Sequence, residues 1–157
     1  PWYESGGLRS STYFLSVNRG KKSVEIDLAS ADGAETLRRL ALSSDILLEN
    51  FRTGTLAKWG LDYPSLARLN PRLIYCSVTG FGQTGPRATE SGYDYLAQAM
   101  SGMMHVNGLP AEQPGGGPLR IGVPLVDVMG AKDASIGILA ALAQRHAPLD
   151  EHGREGA

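Results

Sequence analysis

Asp127 stands in Gly122-Val123-Pro124-Leu125-Val126-Asp127-Val128-Met129-Gly130, immediately ahead of a long apolar run, and a carboxylate placed there has two uses. As an N-cap it accepts hydrogen bonds from the free amides that open a helix, and it stays ionised at neutral pH. As a nucleophile it is a fixed charge at a helix start beside small Gly130, with backbone donors near enough to receive a developing oxyanion. Capping is the commoner use of such a residue, and spacing alone does not separate the two.

Three other constellations carry chemistry. Gly80-Phe81-Gly82-Gln83-Thr84-Gly85 has the spacing G-x-G-x-x-G after an apolar run, the pattern of a dinucleotide-binding turn. Pro86 follows the last glycine, and no Asp or Glu lies between 98 and 106 to hold a ribose hydroxyl, so a tight turn that lets a ligand approach is the alternative. Asn18-Arg19-Gly20-Lys21-Lys22-Ser23 sets three cations around a glycine, suited to phosphate groups or simply to a solvated turn. Asn50-Phe51 ends an apolar run, and Lys58-Trp59 follows closely. An amide, an aromatic face and a cation can grip a purine base and its phosphates, while ordinary core packing of Phe51 and Trp59 explains the same residues. His105 has no partner at nucleophile or metal-ligand spacing, and Cys76 reads as inert core.

The elements that must position these residues follow from periodicity. Ser23–Leu28 alternates as a strand does, and Ser30 offers a hydroxyl to a helix opening near Ala31. The apolar runs 45–51 and 73–78 read as buried parallel strands, with a helix at 63–69 between them. A turn-rich segment spans 80–92, and a helix runs from Tyr93 to about Met104 with Leu96, Ala97 and Met100 on its inner side. Residues 107–120 form a loop with four Gly and three Pro, and a nearly all-round apolar helix from Val128 to Ala147 predicts deep burial, ended by Pro148. Gly102 and Gly137, inside helical patterns, predict close approach of another backbone. The alternation of strand and helix predicts an α/β fold, a Rossmann-like parallel sheet with flanking helices.

Composition bounds the rest. The chain has 157 residues, 15 basic against 16 acidic, and a net charge of −1, so no positive field gathers nucleic acid or an anionic membrane. Apolar residues make up 42%, the range of a folded domain. One cysteine allows no internal disulfide and fits a reducing, cytoplasmic setting. No run approaches the roughly 18 apolar residues of a membrane span. The start at Pro1 and the polar tail 148–157 predict a piece of a longer chain, with 1–147 a partial α/β domain and the tail leading to a missing linker and second domain.

The ordered set Asn18-Arg19-Gly20-Lys21-Lys22-Ser23-Val24, Glu49-Asn50-Phe51 with Gly54 and Leu56, Gly60-Leu61, Asn70 to Ser77, Gly80 to Pro86, Ser91-Gly92-Tyr93-Asp94 and the segment around Asp127 resembles the class III CoA-transferases of CaiB/BaiF type. These include formyl-CoA transferase and succinate–hydroxymethylglutarate CoA-transferase. The resemblance covers nearly the whole chain. It implies the large domain of an interlocked homodimer, in which the residue matching Asp127 attacks an acyl-CoA thioester and passes through an aspartyl anhydride and an aspartyl-CoA thioester. It implies CoA contacts at Ile26, Asn50, Phe51, Lys58 and Trp59, and Tyr13 and Tyr93 lining the thioester. Ala29 departs from members that carry a lysine there. Acyl-CoA and a carboxylic acid are then the substrates, no resident cofactor or metal is needed, and neither nucleic acid nor membrane is a partner.

Two rivals share the fold. An α-methylacyl-CoA racemase uses a histidine in Gly-His-Asp where this chain has Gly92-Tyr93-Asp94, and a phenol with pKa about 10 is a poor general base at neutral pH. A non-catalytic CoA-binding domain would use Asp127 only as a cap. A nicotinamide-dependent oxidoreductase is more distant. The Ser91–Asp94 signature leans toward dicarboxylate-type transferases, by analogy; the sequence does not name the donor and acceptor acids.

Overall fold

A computed structural model describes residues 2–147; the tail expected at 148–157, including Pro148, lies outside them. The chain opens with an antiparallel hairpin of β1 (Trp2–Ser5) and β2 (Leu8–Ser11), which periodicity did not reveal. Its turn is Gly6-Gly7, both at positive φ, the backbone that two-residue hairpins require. Arg9 stacks over Trp2 at 4.5 Å. Helix α1 (Thr12–Val17) follows, capped by Ser11.

The predicted strand at Ser23–Leu28 does not form: these residues pair with no strand among those described. Alternation supplies a face, but a strand also needs a neighbour's amides and carbonyls. The face is still used, because Ile26 and Leu28 are half-buried and Leu28 packs on the core. Ser30 does cap α2 (Ala31–Leu42), accepting from the Gly33 amide at 3.0 Å. Asn70 closes the other end, its Nδ2 lying 3.3–3.4 Å from the carbonyls of Ala41, Leu42 and Ser44.

Strands β3 (Ile46–Glu49) and β4 (Ile74–Ser77) pair in parallel, Ile46 opposite Ile74 and Glu49 opposite Ser77. Between them lie a 3-10 turn, Leu56–Trp59, and α3 (Tyr63–Leu69). The core is the cluster Ala41, Leu56, Leu61, Leu66 and Leu73, with Leu37, Leu47, Trp59 and Tyr75 against it. The fold is thus α/β as expected, with one parallel pair rather than a wide sheet among the described residues.

Tyr75 reports on this core. Its hydroxyl donates to the Leu61 carbonyl at 3.0 Å and its ring meets Tyr63 edge-on at 5.9 Å. Burial, then the charges of Glu49 and Asp62, push its pKa up to about 12. Because the folded state holds the phenolic proton more tightly, this contribution to stability is complete below the unfolded pKa of about 10 and is lost as pH rises from there to about 12. Ultraviolet titration of phenolate should show one tyrosine ionising well after the exposed ones, and Tyr75→Phe should remove that late step.

The helix expected from Tyr93 to Met104 is broken into α4 (Asp94–Met100) and α5 (Met103–Val106). Gly102 sits between them in the left-handed region at φ 78°, with open space around its Cα. It is a breaker rather than the close contact expected. The inner face of α4 also differs: Asp94 and Gln98 are buried, whereas Met100 is exposed and its sulfur meets Arg87 at 3.1 Å. Loop 107–120 holds only one bridge, Leu109 to Gly117.

The last helix, α6 (Leu125–His146), packs on α4 and β4. Deep burial was the expectation, yet none of its side chains is buried, and Val128, Met129, Ile136 and Leu139 are exposed. An all-round apolar helix needs neighbours on every side, and the described elements cover only part of it. Gly137 likewise meets open space instead of another backbone. Arg145 fastens the far end, bonding Asp45 at 2.7 Å and the Arg72 carbonyl at 2.9 Å. No helix among the described residues is long and apolar enough to cross a membrane.

Candidate functional site

Parallel strands end on the same side, and the crevice beyond their carboxyl ends is where α/β sheets hold ligands. Here β3 runs into Asn50-Phe51 and β4 into Val78-Thr79-Gly80. Asn50 Nδ2 donates to the Val78 carbonyl at 2.8 Å, bracing the two exits against each other. Glu49 accepts from the Phe51 amide at 2.7 Å, which turns the chain out of the strand.

The glycine-rich turn leaves from this edge. Gly80 and Gly92 touch backbone to backbone, and a Cβ on either would collide with the other's Cα. The two motifs, Gly80–Gly85 and Ser91–Asp94, therefore close one loop at its neck. Gly82 and Gly85 take positive φ within it. Arg87 lies over Phe81 at 4.0 Å and pairs with Glu90 at 2.7 Å, and that ion pair lowers the Glu90 pKa. No helix begins until Asp94, so the spacing G-x-G-x-x-G does not open a dinucleotide-binding helix here.

Asp127 reaches the same edge from α6. It is exposed and lines a cleft of about 200 Å³ with Asn50, Gly80, Tyr93 and Gly130. The cap expected of it is absent. Helix α6 starts at Leu125 with Pro124 as N-cap, so Asp127 is the third residue of the first turn. The amides of Val126 and Asp127 go instead to Asp94 Oδ1, at 2.8 and 3.2 Å. The Asp127 carboxylate has no hydrogen-bond partner among the described residues.

A second cleft, about 180 Å³, shares Asn50, Gly80 and Tyr93 with the first and adds Phe51, Arg52 and Thr53. Phe51 also lines an apolar groove of about 290 Å³ with Ile26, Leu28, Leu47 and Leu61. The three recesses adjoin in series through shared residues, Phe51 between the groove and the second cleft, Asn50 and Tyr93 between the two clefts, on a path from Ile26 to Asp127. Five of the site residues singled out in the sequence lie on it. Tyr13, exposed on α1, lines none of these recesses, and neither does Lys58, exposed on the 3-10 turn. Trp59 packs on the core, its carbonyl accepting from Arg38 at 2.9 Å. The cations Arg19, Lys21 and Lys22 are exposed, Lys21 bonding Asn18 at 3.0 Å.

Sequence reading missed Asp94 as a participant in its own right. The pair Asp94 and Gln98, four apart on α4, faces inward, and Gln98 Nε2 donates to Asp94 Oδ2 at 2.5 Å. The available signal was an acid and an amide four apart on a short helix, a spacing that puts both on one face.

The fold and site define an α/β domain that presents the unengaged Asp127 carboxylate to a crevice at the carboxyl ends of its parallel strands. The chain belongs to CoA-transferase family III, whose model matches residues 2–155. It is 46% identical over 144 residues to a succinate–glutarate CoA-transferase of Agrobacterium fabrum, covering 90% of this chain and 35% of that protein. It is 43% identical over 136 residues to a mouse succinyl-CoA:glutarate CoA-transferase, covering 87% and 30%. A crystal structure of a CaiB/BaiF family protein from Brucella suis aligns with TM-score 0.84 at 44% identity, over 92% of this chain and 37% of that one. The chain thus spans about a third of the length of these relatives.

Proposed function

We propose that the complete protein transfers coenzyme A from an acyl-CoA to a free carboxylic acid, with Asp127 as the nucleophile. The observation that carries this is the Asp127 carboxylate, exposed at a cleft and unbonded while a different residue caps its helix. An Asp127 oxygen attacks the thioester carbonyl, the C–S bond breaks, and CoA leaves as thiolate, giving a mixed anhydride. The thiolate attacks the aspartyl carbonyl, releasing the donor acid as carboxylate and leaving an aspartyl-CoA thioester. The acceptor carboxylate attacks that thioester, expelling thiolate again, and the thiolate then takes the acceptor acyl group and frees Asp127. Anhydride and thioester are both activated, so the acyl bond energy is conserved as long as water is kept out.

In this reading the apolar groove beside Ile26 and Phe51 takes the adenine, and the linked clefts lead the pantetheine arm past Asn50 toward Tyr93 and Asp127. CoA is a substrate, not a resident cofactor. Lys58 and Trp59, away from the path, would contact the phosphates or ribose only from its margin, and Tyr13 would reach the thioester only with parts of the protein beyond this chain. The wider frame is a Rossmann-like large domain, residues 1–147, of an interlocked homodimer working in the cytoplasm, with 148–157 leading to the second domain. The names of the relatives favour dicarboxylic acids as substrates.

The test is to incubate the complete enzyme with succinyl-CoA and a panel of free acids in deuterated water. Transfer to at least one acid is expected, without deuterium entering the α-carbon of a 2-methylacyl-CoA. Rapid α-exchange without transfer would support the racemase reaction instead.

A further inference from the structure

We propose that Asp94, braced by Gln98, is the positioning residue that keeps the Asp127 carboxylate free and aimed into its cleft. This rests on Asp127 being the nucleophile, and it goes further by naming what holds it ready. An acid at the third position of a helix ordinarily turns back to bond the N-cap amide. Here the N-cap is Pro124, which has no N–H to offer. The next donor, the Leu125 amide, goes to the Val123 carbonyl at 2.8 Å, and the amides of Val126 and Asp127 are both taken by Asp94 Oδ1. Every amide with which Asp127 could cap its own helix is missing or occupied.

Asp94 does this at a cost that points to a purpose. It is 6% exposed, and no Lys, Arg or His pairs with it among the described residues. A buried carboxylate without a counter-ion is tolerated only when hydrogen bonds replace its hydration. Its other oxygen receives Gln98 Nε2, and the fully buried Gln98 accepts from the Ile121 amide at 2.9 Å through Oε1. The relay therefore grips the chain at 121 and again at 126–127, on both sides of the bend into α6. Because Asp94 directly follows Tyr93, the relay also anchors the backbone from which that cleft-lining residue projects.

The relay has a direction, which makes it testable by reversal. Asp94→Asn keeps one acceptor for the two α6 amides but sets an NH₂ group against the NH₂ of Gln98. Gln98→Glu leaves two carboxylates facing each other. The double variant Asp94→Asn/Gln98→Glu restores a donor opposite an acceptor and still offers an oxygen to Ile121. In the complete enzyme each single change is expected to lower kcat about 10- to 100-fold, with KM for acyl-CoA within about twofold, as a misplaced reacting group does. The double variant should recover most of that loss. Singles with wild-type kcat, or a natively folded double variant as slow as the singles, would overturn the proposal. Should Asp94→Asn not fold, Gln98→Met tests the brace alone: lower kcat at unchanged KM supports the relay, and unchanged kcat overturns it. Failure of the underlying reading shows separately, as wild-type enzyme that turns over with Asp127 never labelled, and it removes the proposal with it.

Discussion

Replacing Asp127 by alanine in the complete protein is expected to reduce CoA transfer by on the order of 10⁴-fold or more, the scale on which removing a covalent nucleophile acts. The same change should leave CoA affinity within about twofold, because the groove beside Ile26 and Phe51 that is proposed for the adenine lies away from Asp127. Stability separates this account from its bland rival. If Asp127 were the cap of α6, its loss would cost roughly 0.5–2 kcal/mol. The first-turn amides are held by Asp94 instead, and Asp127 is exposed and unbonded, so a change within about 0.5 kcal/mol is expected. Calorimetry or denaturant unfolding, run beside steady-state kinetics and CoA titration, reads all three. A variant that loses stability but keeps turnover would reverse the assignment.

The second large effect is expected from Gly92→Ala. Gly92 packs on Gly80 so closely that an added Cβ would overlap the Gly80 Cα, and backbone cannot swing aside as a long side chain can. The neck of the 80–92 loop would have to open. Such overpacking costs roughly 1–3 kcal/mol or more, and here it also parts the exit of β4 from Tyr93, which lines the cleft, and from Asp94, which holds the first amides of α6. A lower unfolding midpoint together with a fall in kcat is expected, and Gly80→Ala should behave alike. Gly122→Ala, at ordinary φ with nothing nearby, serves as the neutral comparison.

Much of the scaffold was legible because its signals are local. Ser30 caps α2 within three residues, and the two parallel strands show as short apolar runs with α3 between them. What failed depended on distant partners. Ser23–Leu28 has the alternation of a strand but no neighbour among the described residues. The apolar residues of α6 predicted burial, which other elements must supply, and Ile136 and Leu139 are exposed. Gly102 reads in sequence as a helix interior and proves to be the break between α4 and α5. In the site, Asp127, Asn50, Phe51 and Tyr93 were singled out and meet along one path, while Lys58, Trp59 and Tyr13 do not join it. Asp94 was seen only as part of the Ser91–Asp94 motif, with no role of its own, because its bonds to α6 cross more than thirty residues, a separation no motif spacing records.

The most direct test asks whether a covalent bond forms at one side chain. Complete enzyme mixed with acyl-CoA, quenched with hydroxylamine during turnover and mapped by peptide mass spectrometry should carry a hydroxamate at Asp127. An enzyme that turns over under the same conditions yet leaves the Asp127 peptide unmodified would contradict the account.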